Sequence, residues 1–339
     1  MRSRPGLRLV LALTLVGAGV GASYGLLGRG SPGIGAAVGA LNSGTLSFLE
    51  IFVLGRWARA ALARWPFAAY FTARVALYVA VVLAANLSTL ALAGVSRPLS
   101  GLDSRDIWFA LAICAAVNLL FSVNDLLGPG VLFAFAAGRY RRPRREERVL
   151  LYLDLRGSTA LVERLGEERF LDLLNEFFAE VTAEIVGEGG EIHKYVGDEV
   201  IAVWPAAADP ARPIRACFAA AARIEEEASA YRRAFGAVPS FRAAIHAGPV
   251  VIGELGARKK EIALIGDAMN TAAHILEAAR EAGASVLVSS MLYDRLGAPL
   301  PGVDAKRLPP IVLRGKSAPL SLISLTAKGV RLSAGNGPI

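Results

Sequence analysis

Cysteine is nearly absent: the 339 residues contain Cys114, in an apolar run, and Cys217, in a helical pattern. Neither has metal-ligand spacing, which excludes a disulfide framework, a thiolate metal cluster and a fold that depends on oxidation. Lysine is scarce too, with 6 against 31 arginines, and only 19% of the residues are charged. A hydrophobic fraction of 54% and a mean hydropathy of +0.46 exclude an ordinary soluble protein and imply membrane segments. The net charge of +8 invites a nucleic-acid reading, but its placement argues against one. Residues 1–148 hold 16 Arg and 6 acids, whereas residues 149–339 hold 21 basic and 23 acidic residues. Basicity confined to the apolar half reads as membrane orientation, so no nucleic acid is expected as a partner.

Four apolar stretches approach the roughly 20 residues of a spanning helix: Leu7–Leu27, Ile34–Leu54, Tyr70–Ala93 and Ile107 to about Val123. The first has too long an apolar core for a signal peptide and is followed by further spans. The second is diluted by Gly33, Gly35, Gly39, Asn42 and Gly44. Basic segments at the N-terminus, at Arg56, Arg59 and Arg64, and at Arg139 to Arg148 fall on one side of the bilayer only with four spans. Both termini are then cytoplasmic, and the protein sits in the cell (inner) membrane as a multi-pass chain. Asn124, Asp125 and Pro129 interrupt the last apolar region. Asp125 is read either as an interfacial residue where the bilayer ends or as an intramembrane ligand site. Leu126–Ala137 reads as a coupling or interfacial helix, and "RYRRPRREER" as an anchor to anionic headgroups of the lipid bilayer, at about 1 kcal/mol per basic residue.

From Val149 strands and helices alternate. "VLLYLDL" reads as a strand, followed by a helix that Ser158 or Thr159 caps. Phe170, Leu171, Leu174, Phe177, Phe178, Val181 and Ile185 recur at helical spacing. A hairpin, "EIHKYVGDEVIAVW", then a helix over Pro210–Phe235, strands "SFRAAIHA", "PVVIGEL" and "EIALI", a helix from Gly266-Asp267, and terminal strands complete an α+β domain. The organisation expected is a transmembrane region over 1–125, a coupling helix and basic linker over 126–148, the α+β domain over 149–328 and a tail over 329–339.

Asp154 closes a strand expected to be buried, and Asp198 lies at the hairpin tip. Buried carboxylates need a neutralising partner, and two brought together repel unless a divalent cation lies between them. Oxygen ligands of this kind suit Mg2+ or Mn2+. Spacing alone does not show that the two carboxylates meet.

"LYLDLRGSTALVERLG", "GGEIHKYVGDEVIAVW", "FRAAIHAGPVVIGELG" and "EIALIGDAMNTAAHILEAA" resemble, in order, the catalytic domain of the class III nucleotidyl (adenylyl/guanylyl) cyclases, over residues 149–325. The resemblance implies a ferredoxin-like βαββαβ catalytic core and two divalent ions, Mg2+ or Mn2+, held by Asp154, Asp198 and the Leu155 carbonyl. It implies Lys194 on the adenine, Asn270 on the ribose, and Arg314 or Lys316 on the terminal phosphates. The reaction implied is conversion of ATP to 3′,5′-cyclic AMP and pyrophosphate, at sites shared between the two halves of a homodimer. A compact ammonium at Lys194, in a chain so rich in arginine, agrees with a specific role.

Two positions depart from the family pattern. His274 stands where an arginine usually stabilises the reacting phosphate; losing such a donor removes roughly 2.7–4 kcal/mol of transition-state stabilisation. Ala263 stands where Asp or Thr usually contacts the adenine amino group, which leaves base selection to Lys194 and backbone groups. His193 and His246 read as structural strand residues. The competing readings are a cyclase-like nucleotide-binding regulator, guanylyl cyclase activity, a diguanylate cyclase (from the likeness of "VGDEV" to that family's turn), and a membrane receptor whose spans bind a ligand.

Overall fold

The computed structural model describes residues 4–27, 31–54, 67–92, 140–258, 260–312 and 319–327, with Gly138 and scattered positions between 108 and 119. The chain divides into two compact units, Met1–Leu127 and Gly128–Ile339. Most of the fourth apolar stretch, the expected helix at 126–137, Arg314, Lys316 and the tail lie outside the described residues.

In the first unit, α1 (Arg4–Leu27), α2 (Pro32–Phe48) and α3 (Phe67–Leu92) cover the first three apolar stretches, and α2 runs into a π-helical turn, Leu49–Leu54. Among the described residues two segments are long and apolar enough to cross a bilayer, Val10–Leu27 and Pro32–Phe52; Ala68–Ala84 is apolar but shorter. The glycines that dilute the second stretch have a packing role. A side chain at Gly21 would overlap the Gly35 backbone, and one at Gly39 would overlap Gly17, so α1 and α2 meet backbone to backbone. Hydropathy also conceals an ion pair. Glu50, in the π-turn, and Arg74, on α3, are both buried and bonded to each other, and the Tyr78 hydroxyl donates to Glu50. Arg74 also donates to the Tyr70 hydroxyl at 2.8 Å. Charges placed among apolar helices persist only when paired in this way.

The second unit is a mixed α+β sheet with helices on both faces. In chain order its elements are β1 (Arg144–Leu155), α4 (Ser158–Leu165), α5 (Glu167–Gly187), β2 (Glu191–Val196), β3 (Glu199–Pro205), α6 (Ala211–Glu226) and α7 (Ala228–Phe235). They continue with β4 (Phe241–Leu255), β5 (Glu261–Ile265), α8 (Asp267–Glu281), β6 (Val286–Ser289), α9 (Ser290–Tyr293), β7 (Val303–Arg307) and β8 (Leu322–Ala327). The sheet order is β2-β3-β1-β4-β6-β8-β7, with β5 paired to β4. The four leading strands are mutually antiparallel in the order 2-3-1-4, which is the βαββαβ arrangement expected; β6 adds parallel to β4. β1 is buried on both faces, which explains its nearly continuous apolar run. Val149, Leu151, Leu153 and Leu155 pack with Leu173, Phe177, Trp204 and Ile214, while Leu150 and Tyr152 face Met269, Ala272 and Ile275 of α8.

Several boundaries differ from the sequence reading. β1 begins at Arg144, before the apolar run, because residues 144–148 pair with residues 248–252 of β4. Arg148 is therefore a buried strand residue bonded to Glu146 at 2.6 Å, and is not free for headgroups. "SFRAAIHA" and "PVVIGEL" form one strand, since Gly248-Pro249 stays in register with Glu147 and Arg148. The 210–235 segment is two helices that part at Glu227. Gly157, at φ +68, opens α4, and no side chain of Ser158 or Thr159 caps it. The two strands of the hairpin differ: β3 is buried from Val200 to Trp204, whereas β2 is an edge strand with Lys194, Tyr195 and Val196 exposed.

Candidate active site

Alternation along β1 sends Asp154, after Leu150 and Tyr152, to the α8 face, where only 5% of it is exposed. Its cross-strand partners are Glu199 on β3 and Arg242 on β4, so one row of the sheet carries acid, acid and base. The β2–β3 hairpin reverses at Gly197, whose φ of +61 suits glycine. The next residue, Asp198, has its carbonyl accept the Leu155 N–H at 3.4 Å, which pins the hairpin tip beside the end of β1. Arg156 fixes that end from the other side: its backbone N–H donates to the Ser240 carbonyl at 2.8 Å. Its guanidinium donates to the Phe241 and Ala284 carbonyls at 3.0 and 2.9 Å.

The electrostatics report crowding of like charge. Burial, then the Asp198 charge, raises the Asp154 pKa, while the hydrogen bond from Arg280 opposes the rise. Glu199 is pushed up to about 7 by burial and by Asp154 and Asp198. The compensating cations are Arg280, whose Nη2 lies 3.1 Å from Asp154 Oδ2, and Arg242, whose Nη1 lies 3.6 Å from the same atom. Among the described residues no three His, Cys, Asp or Glu side chains form a ready-made metal cage. The end of β1 nevertheless sets the buried Asp154 carboxylate, which draws two guanidinium groups, beside the half-buried Asp198 and Glu199. Divalent cations that complete their shells with water and phosphate oxygens fit this donor set.

Lys194 is exposed on β2, just after a bulge at His193, and pairs with Ile201. Ile201 faces α8, so Lys194 does too. His193 is pushed down to about 4 by burial and by Lys194, with the Glu261 charge at the start of β5 working against this. Ala263 lies on β5 opposite Gly253, half-buried. Asn270 is exposed in the first turns of α8, and His274, one turn on, has Nδ1 2.9 Å from Glu277 Oε2. The structure thus brings Asp154, Leu155 and Asp198 together, and sets Lys194, Asn270 and His274 apart from them on the same side of the sheet.

Sequence reasoning missed Arg242, Arg280 and Glu199 as neighbours of Asp154. Arg242 did carry a signal, as a charge in the otherwise apolar "SFRAAIHA". Arg280 carried none, because its position in the last turn of a helix looks like ordinary helix-end chemistry.

Residues 141–323 match the family model described as "Adenylate and Guanylate cyclase catalytic domain". Adenylate cyclase 2 of Rhizobium meliloti is 35% identical over 329 residues, covering 94% of this chain and 90% of that protein. Adenylate cyclase 1 of the same organism is 30% identical over 177 residues, 50% of this chain and 26% of that one. A solved structure of a bacterial light-regulated adenylyl cyclase superposes with a TM-score of 0.56 at 17% identity, covering 69% of each chain, and supports the fold. With more than half of the chain inside the family model and a relative aligned almost end to end, the chain belongs to the adenylate and guanylate cyclase family, the class III nucleotidyl cyclase enzymes.

Proposed function

We propose that the chain is a membrane-anchored adenylyl cyclase that converts ATP to 3′,5′-cyclic AMP and pyrophosphate. The observation that carries this reading is the meeting of Asp154 and Asp198 at the end of β1, fastened by the Leu155–Asp198 backbone bond. Asp154, Asp198 and the Leu155 carbonyl would hold two divalent ions, Mg2+ or Mn2+, which supply Lewis acidity at the 3′-hydroxyl and charge neutralisation at the triphosphate. The 3′-oxygen forms a bond to the α-phosphorus as the bond to the β-phosphate oxygen breaks, the hydroxyl proton is released, and pyrophosphate leaves. The protein's task is positioning. Lys194 donates to the adenine ring, Asn270 orients the ribose, and His274 donates to the reacting phosphate. Arg314 or Lys316 takes the terminal phosphates. Ala263 offers the base no side-chain hydrogen bond.

A homodimer completes the site. Asn270 lies ten residues before Arg280 on α8, about 15 Å along the axis at 1.5 Å per residue, and it is Arg280 that touches Asp154. A protomer's own Asn270 is therefore remote from its own carboxylates, and a second copy supplies it. The relatives named adenylate cyclase and the lysine at 194 favour ATP over GTP. The anchor is read as four spans with both termini and the catalytic domain cytoplasmic, resting on the positive-inside pattern and the apolar helices. The domain boundaries stay those of the sequence reading, with the linker's last residues forming the start of β1.

His274 and Ala263 favour a second reading, a nucleotide-binding regulator with negligible turnover. Purified full-length protein in detergent, given Mn2+ with ATP or GTP in parallel, separates the two. Cyclic AMP formation that disappears in Asp154→Asn supports the enzyme; ATP binding with no product in either chain supports the regulator.

A further inference from the structure

We propose that Arg280 is a phosphate ligand that occupies the metal carboxylate until the metal–nucleotide complex arrives. The inference rests on the cyclase reading and goes beyond it. Arg280 Nη2 lies 3.1 Å from Asp154 Oδ2, and its charge also acts on Glu199. The contact is lopsided: the Asp154 side chain is 7% exposed, whereas that of Arg280 is 66% exposed. Arg280 reaches in from solvent, from the last turn of α8, and can withdraw without unpacking anything. Arg242 differs: its side chain is 15% exposed and comes from the interior of the sheet. The two guanidinium groups repel: burial and then the Arg280 charge disfavour the charged form of Arg242, while Asp154 and Asp198 favour it.

A divalent cation bound by Asp154 neutralises that carboxylate and adds its own repulsion, so Arg280 is expelled. It stays tethered to α8, within a side chain's length of Asp154. The anion that then enters its reach is the triphosphate held at the same carboxylate. A guanidinium with planar donors suits phosphate oxygens. Arg280 thereby restores, from the protomer that holds the metals, a cation of the kind the family places at position 274 and this chain lacks.

The test uses full-length protein in detergent with Arg280→Ala and Arg280→Lys. Free Mn2+ is read by electron paramagnetic resonance without nucleotide, and cyclic AMP formation is measured separately. Arg280→Ala should bind Mn2+ about two- to ten-fold more tightly, because a competitor is gone. Its kcat/KM for ATP should fall about 10- to 100-fold, with Arg280→Lys intermediate in both. Mn2+ affinity that is unchanged or weaker in Arg280→Ala overturns the proposal, as does unchanged kcat/KM. If the wild type binds Mn2+ but makes no cyclic nucleotide, the cyclase reading fails, while the Mn2+ comparison still decides whether Arg280 guards Asp154. Should Arg280→Ala not fold, Arg280→Gln gives the same two readouts.

Discussion

Replacing Glu199 by Gln should stabilise the metal-free protein at neutral and alkaline pH. Glu199 sits directly across from Asp154 and next to Asp198, and burial with these neighbours lifts its pKa from 4.5 to about 7. An acid whose pKa is higher in the folded state keeps its proton there after the unfolded chain has lost it. Its contribution is therefore fully present below about 4.5 and is lost as the pH rises through about 7. At about 1.36 kcal/mol per pKa unit the rise sets a ceiling near 3 kcal/mol, which the partial exposure of Glu199 and solvent screening reduce. The glutamine variant lacks this loss, so at pH 8 it should exceed the wild type by about 1 kcal/mol, or a few degrees in Tm for a domain of this size. Thermal unfolding of both chains in chelator at pH 5, 6, 7 and 8 measures it. His193, held down at about 4, contributes with the opposite sign: its share is lost as the pH falls from 6.5 towards 4. It is present in both chains and cancels in the difference. Curves that run parallel from pH 5 to 8 would refute the claim that these carboxylates crowd one another.

Other substitutions probe other parts of the molecule. Asp198→Asn should abolish the rise in Tm on adding Mn2+ and lower turnover at least about 100-fold, since several kcal/mol of transition-state stabilisation pass through the metal site. His274→Arg should raise kcat, by up to about 100-fold, if a fixed positive charge is what the reacting phosphate lacks, as read by cyclic AMP formation. Trp204 is fully buried and donates from Nε1 to the Glu188 carbonyl at 3.1 Å. Trp204→Ala should cost about 3–5 kcal/mol in denaturant unfolding of the catalytic unit. Glu50→Ala strands the buried Arg74 charge and should destabilise the anchor by about 3–5 kcal/mol, whereas Glu50→Ala with Arg74→Leu should recover much of the loss; detergent thermal-stability assays compare them.

The parts legible in the sequence were those with local signals. β1, the β2–β3 hairpin and α8 announced themselves through apolar periodicity and turn residues, and the acids at 154 and 198 stood out against apolar strands. What brings those acids together is strand register, which leaves no local trace: Arg242 and Glu199 flank Asp154 only because β4 and β3 pair with β1 at that level. Gly248-Pro249 looked like a break because proline lacks a donor, yet it lies within the pairing of β4 with β1. The Glu50–Arg74 pair was invisible for a different reason. Averaged hydropathy absorbs one charge per span, and only the packing of α3 against the end of α2 shows that the two charges are mutual partners.

That pair also restricts how the first unit can move. Glu50 and Arg74 lie on successive helical segments and are locked at one level, with Tyr78 closing the lock. Sliding α3 past α2 by one turn, about 5.4 Å, would leave two unpaired charges among apolar helices. The glycine seam brings the α1 and α2 backbones into direct contact, with no room for a larger side chain between them. A stroke of α3 along α2 is therefore opposed by the loss of the Glu50–Arg74 pair, whereas a tilt or rotation of the two together keeps it.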